Sequence, residues 1–378
     1  MKLHRFLVRL ALSSAHVFVW IFAFHYFYLK NVSLTEALSA TALTYALTHL
    51  LVILITPFSA RALRHGARGM LIRASIFLSL AFAAMGAAFA NVLDSMEWGV
   101  LLFAVFFALY RAWYWIPYKT HAEGSIRLST ALEVTLALTP AFVGIGLAAF
   151  SYAPIILLAA ASLIALIAAI PAHRMHDTHE GYSLGYRATF HELFATNNRR
   201  MLLGALCTGF EGAALLFMWP IVVFTLVGWS YAMFGIVLSL TFILTMVIRM
   251  LFLHFAWGVR SPYVQSVLTI ATWIIRGTIA APLSIVLVDT SYHTGASMGR
   301  SIDARSFEQA ADSHTFIDEY TALKEIGLSL GRILFALLIV HLAGVASFPI
   351  IVLSMLGLAA VCGVISILFS HRSKRVAF

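Results

Sequence analysis

Charge is what this chain has least of. Only 11% of its 378 residues are Asp, Glu, Lys or Arg, against about 25% in an ordinary globular domain. Hydrophobic residues make up 61% and the mean hydropathy is +0.92, so a water-soluble fold would lack polar side chains to cover its surface. Cysteine is nearly absent: Cys207 and Cys362 both fall inside apolar runs, which excludes a disulfide framework or a cysteine-based metal site. None of the five lysines, at 2, 30, 119, 324 and 374, follows a glycine, so no nucleotide-binding P-loop is present. There is no HExxH and no nucleophile motif, and neither a cofactor nor a metal is expected. The net charge of +9 would suit nucleic acid, but the charges lie in short clusters between apolar runs, and no nucleic-acid partner is expected.

What is there is apolar sequence in runs of about 20 residues, the length at which a helix crosses a bilayer. Twelve runs are read, at roughly 6–29, 35–58, 70–91, 96–116, 129–151, 153–171, 201–225, 231–256, 263–279, 281–299, 320–343 and 347–370. They predict an all-α polytopic membrane protein with 12 transmembrane helices. The stretch 263–299 is too long for one span and breaks between Gly277 and Pro282, where a first-turn proline is tolerated. Ser33 and Glu36 have the spacing of a capping box at the start of the second run. The first run is too long for a signal-peptide core and reads as a retained helix. Nineteen of the 25 basic residues fall on one side of this topology, Lys30 alone on the other, and five within spans. Basic connections favour the cytoplasm, so both termini are expected there, with the chain a multi-pass protein of the cell membrane.

The longest connection, 172–200, divides the chain into bundles 1–171 and 201–378. It contains "GYRATFHELF", whose Tyr186, Phe190, Leu193 and Phe194 fit one helical face suited to the membrane surface. In the same connection, "HRMHDTHE" spaces His173, His176 and His179 three apart, read as solvated loop histidines rather than a metal site. "EVTLAL" at Glu133 is echoed by "EIGLSL" at Glu325, an offset of 192 residues that also brings runs one and two onto seven and eight. The chain therefore reads as two six-helix halves in parallel repeat.

On this 6+6 pattern, and on "RALRHGARGML" at Arg61–Leu71 with Arg64, Gly66 and Arg68 in matching places, the chain resembles the major facilitator superfamily. Leu63 stands where that family usually carries an acidic residue. "LTPAFVGIGL" from Leu138 is loosely similar to the helix-five pattern of proton-driven exporters, and "WYWIPYKTHAE" and "EYTALKEIGLSLGR" resemble bacterial permeases. The resemblance implies a central cavity lined by helices one, four, seven and ten, and alternating access of the two halves.

Ionisable residues inside spans are expensive and serve a purpose or pair with one another. Glu133, Lys324 and Glu325 sit at the cytoplasmic starts of spans five and eleven. With Arg332, Arg64 and Arg68 they are the candidate charges of a cytoplasmic gate, a static ion pair being the competing reading. Glu325 and Arg332 share a face seven residues apart, and Gly327 and Gly331 form a GxxxG spacing that admits a close neighbour. Near mid-span lie Glu211, Asp289 and His16, matching the cavity helices that the resemblance implies. They are the candidates for proton coupling, against a structural pairing of Glu211 with Arg249 or Arg276. Arg111, with Trp113 and Tyr114, is the candidate contact for an anionic or aromatic solute. The expected function is a secondary transporter moving a small organic solute with H+ as coupling ion, a monomer in the lipid bilayer. An uncoupled facilitator remains the alternative, with an intramembrane enzyme or a receptor behind it.

Overall fold

A computed structural model describes residues 2–31, 33–93, 95–120, 129–179, 182, 184–255, 262–299 and 317–372. Arg127, Arg260, Arg300, Arg305, Lys374 and Arg375, used above to orient the chain, lie outside them. The secondary structure of the described residues is helical, without a strand. The long helices are α1 (Lys2–Lys30), α2 (Leu34–His65), α3 (Ala67–Phe89), α4 (Met96–Thr120), α5 (Thr130–Ala149) and α6 (Ala153–His173). They continue with α7 (Arg199–Leu226), α8 (Tyr231–Phe255), α9 (Pro262–Arg276), α10 (Pro282–Gly299), α11 (Ile317–Ala343) and α12 (Phe348–Arg372). Ten are long and apolar enough to cross a membrane; α9 and α10 are not among them.

The local signals act as the sequence suggests. Ser33 caps α2, its hydroxyl accepting from the Glu36 amide. The long apolar stretch breaks after Arg276, and α10 starts at Pro282. Two helices carry a single π turn, Leu12–His16 in α1 and Ala214–Met218 in α7. Such turns insert a residue into the ladder and recur at functional sites.

Packing runs in pairs: α2 along α11, α5 along α8, α3 against α4 and α6, and α7 against α11 and α12. Small residues set these distances. A Cβ on Gly331 would collide with the Leu206 carbonyl of α7, and one on Gly209 with the Leu328 carbonyl of α11. The GxxxG face of α11 thus fits against α7, which leaves its opposite face, with Glu325 and Arg332, turned toward α2 and α4. At the other crossing, a Cβ on Gly144 would strike the Tyr231 carbonyl, and one on Gly235 the Pro140 carbonyl.

Pro140 would break α5 in isolation, because it lacks the N–H that should bond the Leu136 carbonyl. Here the Ser13 hydroxyl of α1 donates to that carbonyl at 3.1 Å, and the Ala141 amide donates to Ser239 Oγ of α8 at 2.9 Å. In lipid an unmet backbone group costs several kcal/mol; side chains from two other helices meet it.

The connection 172–200 differs from expectation in one respect. It does hold a helix, Tyr186–Leu193, but that helix lies on protein. Leu193 is buried with Ile53 of α2 and with Leu323 and Ile326 of α11, and the Tyr186 ring packs on Phe58. Phe194, expected on the same face, is exposed. An apolar helical face suits a protein groove as well as a lipid surface, and here the ends of α2 and α11 supply the groove.

Gly144→Val or Gly235→Val should separate α5 from α8 and lower the unfolding free energy by about 2–3 kcal/mol. Gly146→Ala, where a Cβ meets nothing within 4 Å, should leave the thermal midpoint of the purified protein unchanged.

Candidate functional site

Three groups of polar residues hold the charges singled out above. The first joins α1, α2, α4 and α11. Arg111 Nη2 of α4 donates to Glu325 Oε2 of α11 at 3.5 Å, with side chains 14% and 8% exposed. Arg332 is buried two helical turns further along α11. It makes no ion pair among the described residues, and its Nη1 is buried without a hydrogen-bond partner. From α2, Tyr45 and His49 are both buried, their rings 4.5 Å apart. From α1, His16 stacks on Phe107 at 4.6 Å and accepts at Nε2 from Trp20. The positive charges of Arg111 and Arg332 act on both histidines.

The second group is a buried ion pair, with Arg276 Nη1 left without a hydrogen-bond partner. Asp289 of α10 takes Arg276 Nη2 at 2.8 Å and Nε at 3.0 Å, and Trp219 Nε1 of α7 donates to both of its oxygens. The guanidinium lies 4.3 Å from the Trp273 ring centre and 4.5 Å from that of Tyr292. Neither side chain is appreciably exposed, at 0% and 5%. Both guanidinium donors converge on Asp289 Oδ1, and charge-assisted bonds of this kind, with the guanidinium stacked against rings, are stronger than neutral ones.

Glu211 forms the third group, in contact with the second. Tyr292 Oη donates to its Oε1 at 2.7 Å and Trp273 Nε1 to the same atom at 3.1 Å. Its partners are neutral donors; it makes no ion pair among the described residues. Of the two cations weighed for it, Arg276 is taken by Asp289 and Arg249 lies exposed on α8. Gly363 of α12 presents bare backbone to the carboxylate, where a Cβ would meet Oε1. Glu211 therefore turns toward α9, α10 and α12.

Several expected neighbours are apart. Trp113 lies under the Arg73 guanidinium at 5.0 Å and packs on a cluster that includes Ala322 of α11, and Tyr114 packs near His4 and Tyr110. Glu133 is exposed and makes no ion pair among the described residues. Arg64 donates to its neighbour His65. Arg68 faces Asp177 of the central connection, which accepts its amide at 3.0 Å and lies 3.6 Å from its guanidinium. Lys324 is half-buried on α11. No group of three or more His, Cys, Asp or Glu among the described residues is placed to hold a metal. Sequence reasoning missed His49; the available signal was a histidine inside an apolar run, four residues from a tyrosine.

No family model matches the chain, and no curated protein matches it by sequence. Solved structures do match by fold. A proton-dependent oligopeptide transporter structure superposes with a TM-score of 0.60 at 11% identity, over 100% of this chain and 98% of that one. A single-substitution mutant of the nucleoside transporter NupG gives 0.60 at 13% identity, over 97% and 98%. A bacterial homologue of the iron transporter ferroportin, in its outward-facing state, gives 0.60 at 13%, over 99% and 100%. At these identities the likeness is one of fold, and it runs along the whole chain.

Proposed function

We propose that this protein is a secondary transporter that moves a small organic solute across the cell membrane by alternating access, coupled to protons through Glu211. In this reading α1–α6 and α7–α12 are two six-helix halves, 1–171 and 201–378, which rock about a site between them. Both termini are cytoplasmic and the unit is a monomer. The helices α9, 15 residues long, and α10, which carries Asp289, complete the twelve spans.

The observation that supports coupling is the contrast between the two acids. Asp289 is paired with the Arg276 guanidinium, whereas Glu211 is held by neutral donors that converge on one oxygen. The second oxygen is left to carry a proton, and a carboxyl without a cation can lose its charge at small cost to its surroundings. A second reading, the uncoupled facilitator, is favoured by the burial of Glu211 among α9, α10 and α12, away from α1 and α4.

Two outcomes separate these readings. A solute from a pooled collection that stabilises the purified protein should do so to different extents at pH 5.5 and 8, and Glu211→Gln should abolish that difference. Equal stabilisation at both pH values in both proteins selects the uncoupled facilitator. Asp289, in contrast, should behave as structure. Asp289→Asn strands a buried guanidinium and should cost about 3–5 kcal/mol in unfolding free energy. Arg276→Met combined with Asp289→Leu should recover most of that loss.

A further inference from the structure

The first polar group has more positive charge than its own residues answer. Two guanidiniums, Arg111 and Arg332, stand with one carboxylate, Glu325, in the interior of an apolar bundle. Arg332 is within electrostatic reach of Arg111, Glu325 and Tyr45. A buried cation without a counter-charge is among the most costly groups a protein can hold in lipid.

The unanswered hydrogen-bonding atoms come from three helices. Arg332 Nη1 (residue 8% exposed), Arg111 Nε, His49 Nδ1 (2%) and Ser329 Oγ (0%) are all buried without a partner. Ser329 follows Glu325 by four residues and precedes Arg332 by three, so the three lie along one stripe of α11. Three of these groups can donate outright, and His49 does so in one tautomer. Buried polar atoms are rarely left unpaired; when several lie around one excess positive charge, the missing member is an anion.

We infer that Arg111, Arg332, His49 and Ser329 form the binding site for the anionic group, carboxylate or phosphate, of the transported solute. The inference rests on the transporter reading and gives it a substrate class. Glu325 is then the internal counter-ion. Its contact with Arg111, at 3.5 Å, is long for a charge-assisted bond, which settles near 2.7–2.9 Å. An arriving anion competes with it for the same guanidinium. Arg111 and His49 belong to α4 and α2, Ser329, Glu325 and Arg332 to α11, so the anion links helices that the proposed mechanism assigns to opposite halves.

The test is binding to the full-length protein in nanodiscs, read by thermal shift and calorimetry. The probes are benzoate, succinate, glucose 6-phosphate and inorganic phosphate, with benzamide, succinamide and glucose as neutral counterparts, at constant ionic strength. At least one anion should stabilise the parent where its neutral counterpart does not, and preference between the two kinds identifies carboxylate or phosphate. Arg332→Gln and Arg111→Gln should each weaken that anion about tenfold or more. Arg332→Gln without ligand should unfold no earlier than the parent, since it removes an unpaired charge, and a structural role predicts the reverse. Glu325→Gln should strengthen the anion several-fold by removing its competitor. Absence of anion-dependent stabilisation throughout the set overturns the assignment. So does a neutral solute whose binding survives Arg332→Gln, an outcome that leaves the transporter reading standing. Loss of pH-dependence in Glu211→Gln bears on coupling alone.

Discussion

In the interior of a bilayer a polar group has no water to turn to, and the organisation of this chain follows from that constraint. Most hydroxyls obey it within their own helix. Thr41, Thr44, Thr48 and Thr56 in α2, Ser75 in α3, and Thr241 and Thr245 in α8 each donate to the carbonyl four residues back. Where a helix is defective, as at Pro140, neighbouring helices supply the partner. Arg276 and Asp289 meet the same demand for full charges. Unmet atoms occur elsewhere, at Arg276 Nη1, Ser266 and Thr290 among others, but those of Arg111, Arg332, His49 and Ser329 surround two guanidiniums and one carboxylate.

The same constraint explains how the acids divide. Asp289 takes two guanidinium bonds and an indole donor. Glu211 shares Trp273 and Tyr292 with that pair but makes no ion pair among the described residues. The two rings thus connect an acid paired with a guanidinium to one held by neutral donors, and a change in either ring orientation bears on both. Glu325 is a third case, a carboxylate whose cation comes from a different helix and is held loosely.

The helices were legible because apolar runs and basic connections are one-dimensional signals; the break between Gly277 and Pro282 and the cap at Ser33 are local chemistry of the same kind. Pairing across helices was not. Arg276 and Asp289 flank that break, yet nothing in their spacing distinguishes them from Arg276 and Glu211. Glu325 and Arg332 could be placed on one face by counting seven residues. That the face turns toward Arg111 and His49 depends on the glycines of α11 fitting α7, a tertiary fact. The helix Tyr186–Leu193 was found but set against lipid, because amphipathicity records a face and not what covers it.

A carboxylate reaches the loop between α2 and α3 from 109 residues later in the chain, measured from Arg68 to Asp177. Asp177 rests where a side chain on Gly66 would have to be, and Gly66 itself has a φ of +107° that disfavours any other residue. The two positions therefore constrain each other's history. A lineage could not first place a side chain at 66 and later adjust 177 without passing through a form with a strained turn and a displaced anion. Their variation should be sought as a joint event.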